Sequence, residues 1–343
     1  MKRRNDTQAL SRAAGVLLTG ALFAAVLIGC SEKEQTKQKE QRFAYPLATG
    51  SPEDTVTQIY AEKFAEEVSR LSDGRIKIQV YPNSVLGGDR ELLESCYDGD
   101  IPFVVQNTAP QVNFIPDTAV FDIPCAFGTL EEVRETVDDE QFMELMQESY
   151  RNEGYELLGY SDQGFRVMST NKAVEDFSDF KGQKIRTMEN SYHIDFWKAL
   201  HANPTPMSYS EVYIGLQQHT IDAQENPYEV IVSNRLYEQQ DYVVETNHLP
   251  HLISLIVSED FFQGLSGEDQ EILTRAQKFA QEYSRNASDE RIAEKIEVIE
   301  KSGTKIITLD ESGRQDMIDA SAPVYEEIED VVSTDILDAY LNK

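Results

Sequence analysis

The stretch Arg75 to Tyr81, RIKIQVY, alternates polar and apolar residues with the period of a half-buried strand. Ahead of it, Asp54 to Leu71 carries Val56, Ile59, Tyr60, Phe64, Ala65 and Val68 near helical spacing, and Phe43 to Thr49 reads as a short first strand. Strand, helix, strand is the opening of an α/β lobe. Leu86 to Arg90 is a turn into a helix over Glu91 to Tyr97, and Ile101 to Val105 is a nearly continuous apolar strand of the kind buried in a parallel sheet.

The alternation resumes further on. Tyr155 to Tyr160 and Phe165 to Ser169 are strand-like, and a second α/β lobe starts near Gly164. Phe177 to Phe180 leads into a strand over Gln183 to Arg186, followed by helices over Ser191 to Leu200 and Ser210 to Gln218. Ile221 to Gln224 is then a short strand that delivers Glu225, Asn226 and Pro227 to its carboxyl end, where open α/β sheets bind ligands. From Ser266 to Ser302 there is no proline, Ser266 and Asp269 form a capping-box signature, and Ile272, Leu273, Ala276, Phe279, Ala280 and Tyr283 keep a helical stripe. Such a helix is about 54 Å long at roughly 1.5 Å per residue, so it has to lie across both lobes.

The N-terminus carries a different signal. MKRRNDTQALSR precedes seventeen uncharged residues, Ala13 to Gly29, and then Cys30 in the context Leu27-Ile28-Gly29-Cys30. That is an export signal ending in a lipobox-like site, with residues 1–30 the signal and Cys30 the lipidated residue; an uncleaved membrane anchor is the alternative. Residues 31–41, SEKEQTKQKEQ, read as a solvated tether. Without residues 1–29 the chain keeps 27 basic against 60 acidic residues, a net charge of about −33. So acidic a body repels nucleic acid, and it repels small anions too, so that any arginine serving an acid has to act locally. Only Cys96 and Cys125 remain, which leaves a bridge or two buried thiols open, with buried thiols the favoured reading.

Candidate chemistry concentrates in Lys184-Ile185-Arg186 and the run PTPMSYSEVYIGLQQHTIDAQENP from Pro204 to Pro227. An arginine at a strand end offers a planar fork that grips a carboxylate by two bonds, and Asn226 adds a neutral amide. These stretches, and the chain from Phe43 to about Tyr340, resemble the solute-binding subunits of TRAP transporters, the DctP-type extracytoplasmic receptors. The resemblance implies an α/β, two-lobed, periplasmic-binding-protein-like fold with a long helix crossing both lobes. The expected boundaries are 42–163 with 252–291 for lobe I and 164–251 with 292–343 for lobe II.

Carried over by position, Arg186 corresponds to the family's principal carboxylate-binding arginine, Arg166 to the second arginine or a support behind the first, and Asn226 to the amide that also contacts the acid. Tyr209 would pack on the ligand body, while Asp89 of LGGDR and Asn107 of VVQNT would bond its polar remainder; Asp89 as a helix cap is the plainer alternative. Sialate-binding members carry a glutamate at the Asn107 position, and the Gln106-Asn107 amide pair and the NPTPM run point instead to a hydroxylated sugar acid, a uronate or aldonate, ahead of a C4-dicarboxylate. The implied partners are the small carboxylate, the membrane permease subunits and, through Cys30, the membrane itself, with no nucleic acid, metal or cofactor. The sequence contains no GxSxG, HExxH, P-loop or GxGxxG, and His248 and His251 read as loop and surface residues rather than metal ligands. Binding without turnover is therefore expected; a secreted enzyme or a sensor receptor using the same cleft is the alternative.

Overall fold

The computed structural model describes residues 43–341; the export signal, Cys30 and the 31–41 tether lie outside the described residues. Its elements begin with β1 (Tyr45–Ala48), α1 (Val56–Leu71), β2 (Ile78–Tyr81), α2 (Asp89–Tyr97) and β3 (Phe103–Asn107). After two 3₁₀ turns come α3 (Leu130–Val137), α4 (Glu140–Asn152), β4 (Tyr155–Phe165), β5 (Val167–Thr170), β6 (Lys184–Thr187), α5 (Ser191–Ala199), β7 (Asn203–Pro206), α6 (Tyr209–Gln217), β8 (Ala223–Asn226), α7 (Tyr228–Ser233) and β9 (Tyr242–Glu245). The chain closes with β10 (Pro250–Ser258), α8 (Glu259–Gln263), α9 (Gly267–Ser302), β11 (Lys305–Thr308), α10 (Glu311–Glu329) and α11 (Thr334–Leu341).

The strands form two sheets, in the orders β2-β1-β3-β10-β4 and β11-β9-β5-β8-β6-β7. In the first, β1 pairs parallel with β2 and β3, but β10 runs antiparallel between β3 and β4. All nine residues of β10 are buried, as an inserted central strand requires. In the second, β6 is parallel to both β7 and β8, and β7 can carry Pro204 and Pro206 because it is the edge strand. The chain passes between the sheets at Arg166 and again through residues 246–249, and α9 touches α1 and β4 of one lobe and α7 and β11 of the other.

Two expectations are corrected. Residues 292–343 do not all go with the second sheet: Val324, Ile328, Val332, Ile336, Leu337 and Tyr340 pack into the first-lobe core with Phe142, Met146 and Tyr150, because α10 and α11 present their apolar faces there. The stripe of the long helix is also narrower than expected. Ile272, Leu273, Ala276 and Ala280 are buried, while Phe279 and Tyr283 are 45% exposed and rest against each other, with the Lys63 ammonium over the Tyr283 ring. Cys96 is buried, Cys125 half-buried, and both thiols are free.

Candidate functional site

The parallel strands β1, β3, β6 and β8 all end at the cleft between the sheets, and there two neighbouring cavities open. One, of about 440 Å³ including its open mouth, is lined by Asp89, Asn107, Arg186, Tyr209, Asn226 and His251 among others. The other, of about 520 Å³, shares Asp89, Arg186, Met188 and Tyr209 and extends to Arg90, Asn113 and Glu189. Arg186 is 2% exposed, and its Nε and Nη2 both donate to the Met207 carbonyl, at 2.9 and 2.6 Å. Among the described residues no carboxylate lies within ion-pair distance of it. Burial pulls its pKa down to about 10, with Glu225 and Asp89 opposing the shift and Arg166 pulling the same way. A buried guanidinium satisfied by a carbonyl alone is a cation awaiting an anion. Across the cavity Asp89, at the first turn of α2, has its carboxyl pushed up to about 6 by removal from water, with Arg186 opposing the shift. Gly88 takes the cap position and Asp89 makes no capping bond, so its carboxylate is free to face the cavity.

Behind this wall lies a dense buried network. Arg166 grips Glu225 through Nε and, at 2.8 Å, Nη2, and it also reaches the Glu225 carbonyl at 2.7 Å. His248 Nε2 stands 3.2 Å from the same carboxylate, and His193 Nδ1 stands 3.5 Å away, an ionic contact without hydrogen-bond geometry. On its other side His193 meets Asp122 at 2.9 Å, and Asp122 in turn accepts from Asn190 Nδ2 at 2.6 Å. Burial alone would raise the Glu225 pKa, yet Arg166, His193 and His248 hold it well below the usual carboxylate range. Burial likewise disfavours a charged His193, but Asp122 and Glu225 lift it to about 9.

Residues 47–330 match the family described as bacterial extracellular solute-binding protein, family 7, or DctP. The chain belongs to that family. An ectoine/5-hydroxyectoine-binding periplasmic protein of Ruegeria pomeroyi is 30% identical over 318 residues, 91% of each chain. A TRAP periplasmic solute-binding protein of Polaromonas bound to D-erythronate superposes with a TM-score of 0.83 at 30% identity, over 88% of this chain and 98% of that one. Another, from Bordetella bronchiseptica with density assigned to pantoate, gives 0.82 at 31% identity, over 88% and 99%. The two-lobed fold with its long α9 is that of these TRAP solute-binding proteins.

Within this solute-binding protein, Arg186, Asn226, Tyr209, Asn107 and Asp89 line one cavity, whereas Arg166 lines neither cavity. Arg166 instead sits behind Asn226, whose Oδ1 it approaches at 3.3 Å, while Asn226 Nδ2 donates to Gln224 Oε1 at 2.6 Å. The amide is thereby oriented, with one N–H of Nδ2 left over. Asn107 reaches the cavity with its amide largely occupied, donating to the Leu252 carbonyl at 2.8 Å and accepting from the Ala109 N–H at 3.0 Å. Gln106 does not join it. Successive side chains point to opposite faces of β3, so Gln106 is buried and its amide atoms find no partner among the described residues. His248 and His251 are not surface residues either: both are buried, and the His248 ring stacks on Phe196 at 5.2 Å. The sequence could have hinted at this, since both flank the apolar run Leu252 to Val257 that had to be interior.

Proposed function

We propose that this protein captures a small hydroxylated organic acid, a sugar acid rather than a plain C4-dicarboxylate, outside the cytoplasm and hands it to a TRAP membrane permease. The observation that carries the reading is the buried Arg186, with no carboxylate partner among the described residues, facing the half-buried Asp89 across one cavity. Arg186 would take the acid group with the spare N–H of Asn226, and Asp89 would accept from a hydroxyl at the far end. Tyr209, half-buried at the start of α6, supplies an aromatic wall. The D-erythronate and pantoate of the two solved relatives are both hydroxylated acids, which fits this arrangement. Binding and release is the whole cycle. Of the two carboxylates a hydrolytic reading would draw on, Glu225 is held ionised by Arg166 and lines neither cavity, while Asp89 lines both and serves in this reading as an acceptor for a ligand hydroxyl.

The direct test is a thermal-shift screen of the soluble domain against aldonates, uronates, C4-dicarboxylates, keto acids, ectoine and amino acids. An acid at about 100 times its Kd adds roughly 2.7 kcal/mol of stability and moves the melting point by several degrees. A shift confined to amino acids or ectoine would overturn the sugar-acid reading. Attachment to the membrane through Cys30 completes the proposal: Cys30→Ser leaves the protein unprocessed or free in the soluble fraction, and a mature N-terminus mapped elsewhere by mass spectrometry would refute it.

A further inference from the structure

His251 combines three properties that no structural role requires together. Its Nδ1 stands 2.5 Å from Arg166 Nη1. A guanidinium has donors only, so Nδ1 must be the acceptor, and the single proton of a neutral ring is left on Nε2. That nitrogen has no hydrogen-bond partner among the described residues, although the side chain is 5% exposed and lines the cavity that Arg186 and Asn226 share. Finally, the strand pairing breaks at this residue: between the pairs Pro250 with Phe165 and Leu252 with Asp162, β4 spends two residues, Gln163 and Gly164, against His251 alone. Gly164 accommodates the bulge at φ 87°, a left-handed conformation that glycine adopts without strain. Bulges beside sites re-aim a side chain, and here Gly164 of the bulge is two residues from Arg166 itself.

One guanidinium therefore holds two cavity-lining groups by its two terminal nitrogens, His251 at Nη1 and Asn226 at Nη2. We propose that His251 is a ligand-binding residue whose Nε2–H donates to an oxygen on the carbon next to the acid group, so that the site selects 2-hydroxy and 2-oxo acids over acids unsubstituted at that carbon. The inference rests on the acid-binding reading above: with the carboxylate on Arg186 and Asn226, the neighbour of Asn226 faces the adjoining carbon. A neutral donor suits this place because a hydroxyl or keto oxygen offers lone pairs but no charge. Burial and the Arg166 charge keep the ring uncharged, its pKa well below the usual histidine value.

The experiment compares D-erythronate with its 2-deoxy counterpart, 3,4-dihydroxybutanoate, and L-malate with succinate, by calorimetry on the parent, His251→Leu, His251→Gln and Arg186→Ala. The expected result is that His251→Leu weakens the 2-hydroxy acids about tenfold and their 2-deoxy partners by less than about threefold, the loss of one hydrogen bond. His251→Gln, which retains a donor near the Nε2 position, restores much of the preference. As a check that needs no substitution, the Nε2 proton of His251 is followed by ¹⁵N-resolved NMR in the parent, and it shifts on addition of D-erythronate but not of 3,4-dihydroxybutanoate. Equal losses for both members of each pair, or an unmoved Nε2 resonance, overturn the role of His251 while leaving the acid site intact. Failure of Arg186→Ala to weaken any acid, or no binding of any of the four to the parent, overturns the acid-binding reading itself.

Discussion

Arg186 bears a full charge in a place where water barely reaches, with a backbone carbonyl as its acceptor. Removing it leaves a bound carboxylate desolvated and unpaired, so Arg186→Ala should cost on the order of 3 to 5 kcal/mol in acid binding, several hundredfold or more in Kd, without unfolding the chain. Arg186→Lys should recover little, because an ammonium loses the two-bond fork; calorimetry with D-erythronate reads both. His193 yields a prediction of a different kind. Its folded pKa is raised to about 9 from 6.5, facing Asp122 on one side and on the other Glu225, which Arg166 and His248 also contact. The stabilisation is complete below the unfolded value and is lost as pH rises through the folded one, so stability should fall by on the order of 3 kcal/mol between about pH 6.5 and 9. His193→Gln should flatten that segment of a chemical-denaturation series, and an unchanged slope would show that the imidazole is neutral. At this scale the sequence was informative where a residue ends a parallel strand: Arg186 and Asn226, read at strand ends, both line the cavity. It marked Arg166 only as a second arginine or a support behind the first, and was silent on its partners, because the pairing with Glu225 and His251 brings together side chains 59 and 85 positions apart.

At the scale of elements, β4 shows why periodicity falls short. The apolar pattern stops at Tyr160, yet the strand continues to Phe165 with Ser161, Asp162 and Gln163 all buried. Each is paired from elsewhere: Ser161 with Ser284 of α9 at 2.7 Å, Asp162 with Arg134 of α3 at 2.7 Å, and Gln163 with Glu229 of α7 at 2.5 Å. Without those partners three polar residues in a core strand would be untenable. The approach of α9 to this strand leaves a specific signature. A Cβ at Gly159 would lie 2.1 Å from Gln277 Nε2, and Gln277 is itself bonded to the Tyr60 hydroxyl at 3.0 Å and Gln281 at 2.8 Å. Gly159→Ala should therefore destabilise by about 1 to 3 kcal/mol through overpacking. In a Gln277→Ala background the overpacking share of that cost should vanish, and a double-mutant cycle by urea denaturation measures the coupling. Purely additive effects would mean that α9 does not bear on β4 at this point.

For the whole molecule, two sets of contacts between the lobes bear on opening, apart from the buried bonds of Asn190 and His193 to Asp122. At the crossing side, buried Glu229 of α7 accepts the Val56 N–H at the start of α1 at 2.8 Å and also binds Arg291 of α9. At the mouth, Arg90 of α2 meets Glu189 at 3.1 Å, and Asn113 donates to the Glu189 carbonyl at 2.7 Å, both across the cleft. Opening about the crossing segments would break the second set and keep the first, so ligand should reduce the radius of gyration in small-angle scattering. Because Arg90 and Glu189 are about half exposed, Glu189→Ala should raise the ligand off-rate only up to about fivefold, the effect of a surface pair; no change in scattering at saturating acid would remove the hinge altogether. What the sequence alone determined was local: alternating and helical periods placed most strands and helices, the proline-free run from Ser266 to Ser302 set a helix too long for one lobe, and the charge balance forced any acid site to be a local arginine. The tertiary structure decided what depends on distant chain segments meeting. It inserted antiparallel β10 between β3 and β4, folded α11 back onto the first lobe, sent Gln106 inward, and turned His248 and His251 into the buried surroundings of Arg166. Spacing along a chain reports on the next turn or pleat, whereas burial and partnership are properties of the neighbours that packing supplies.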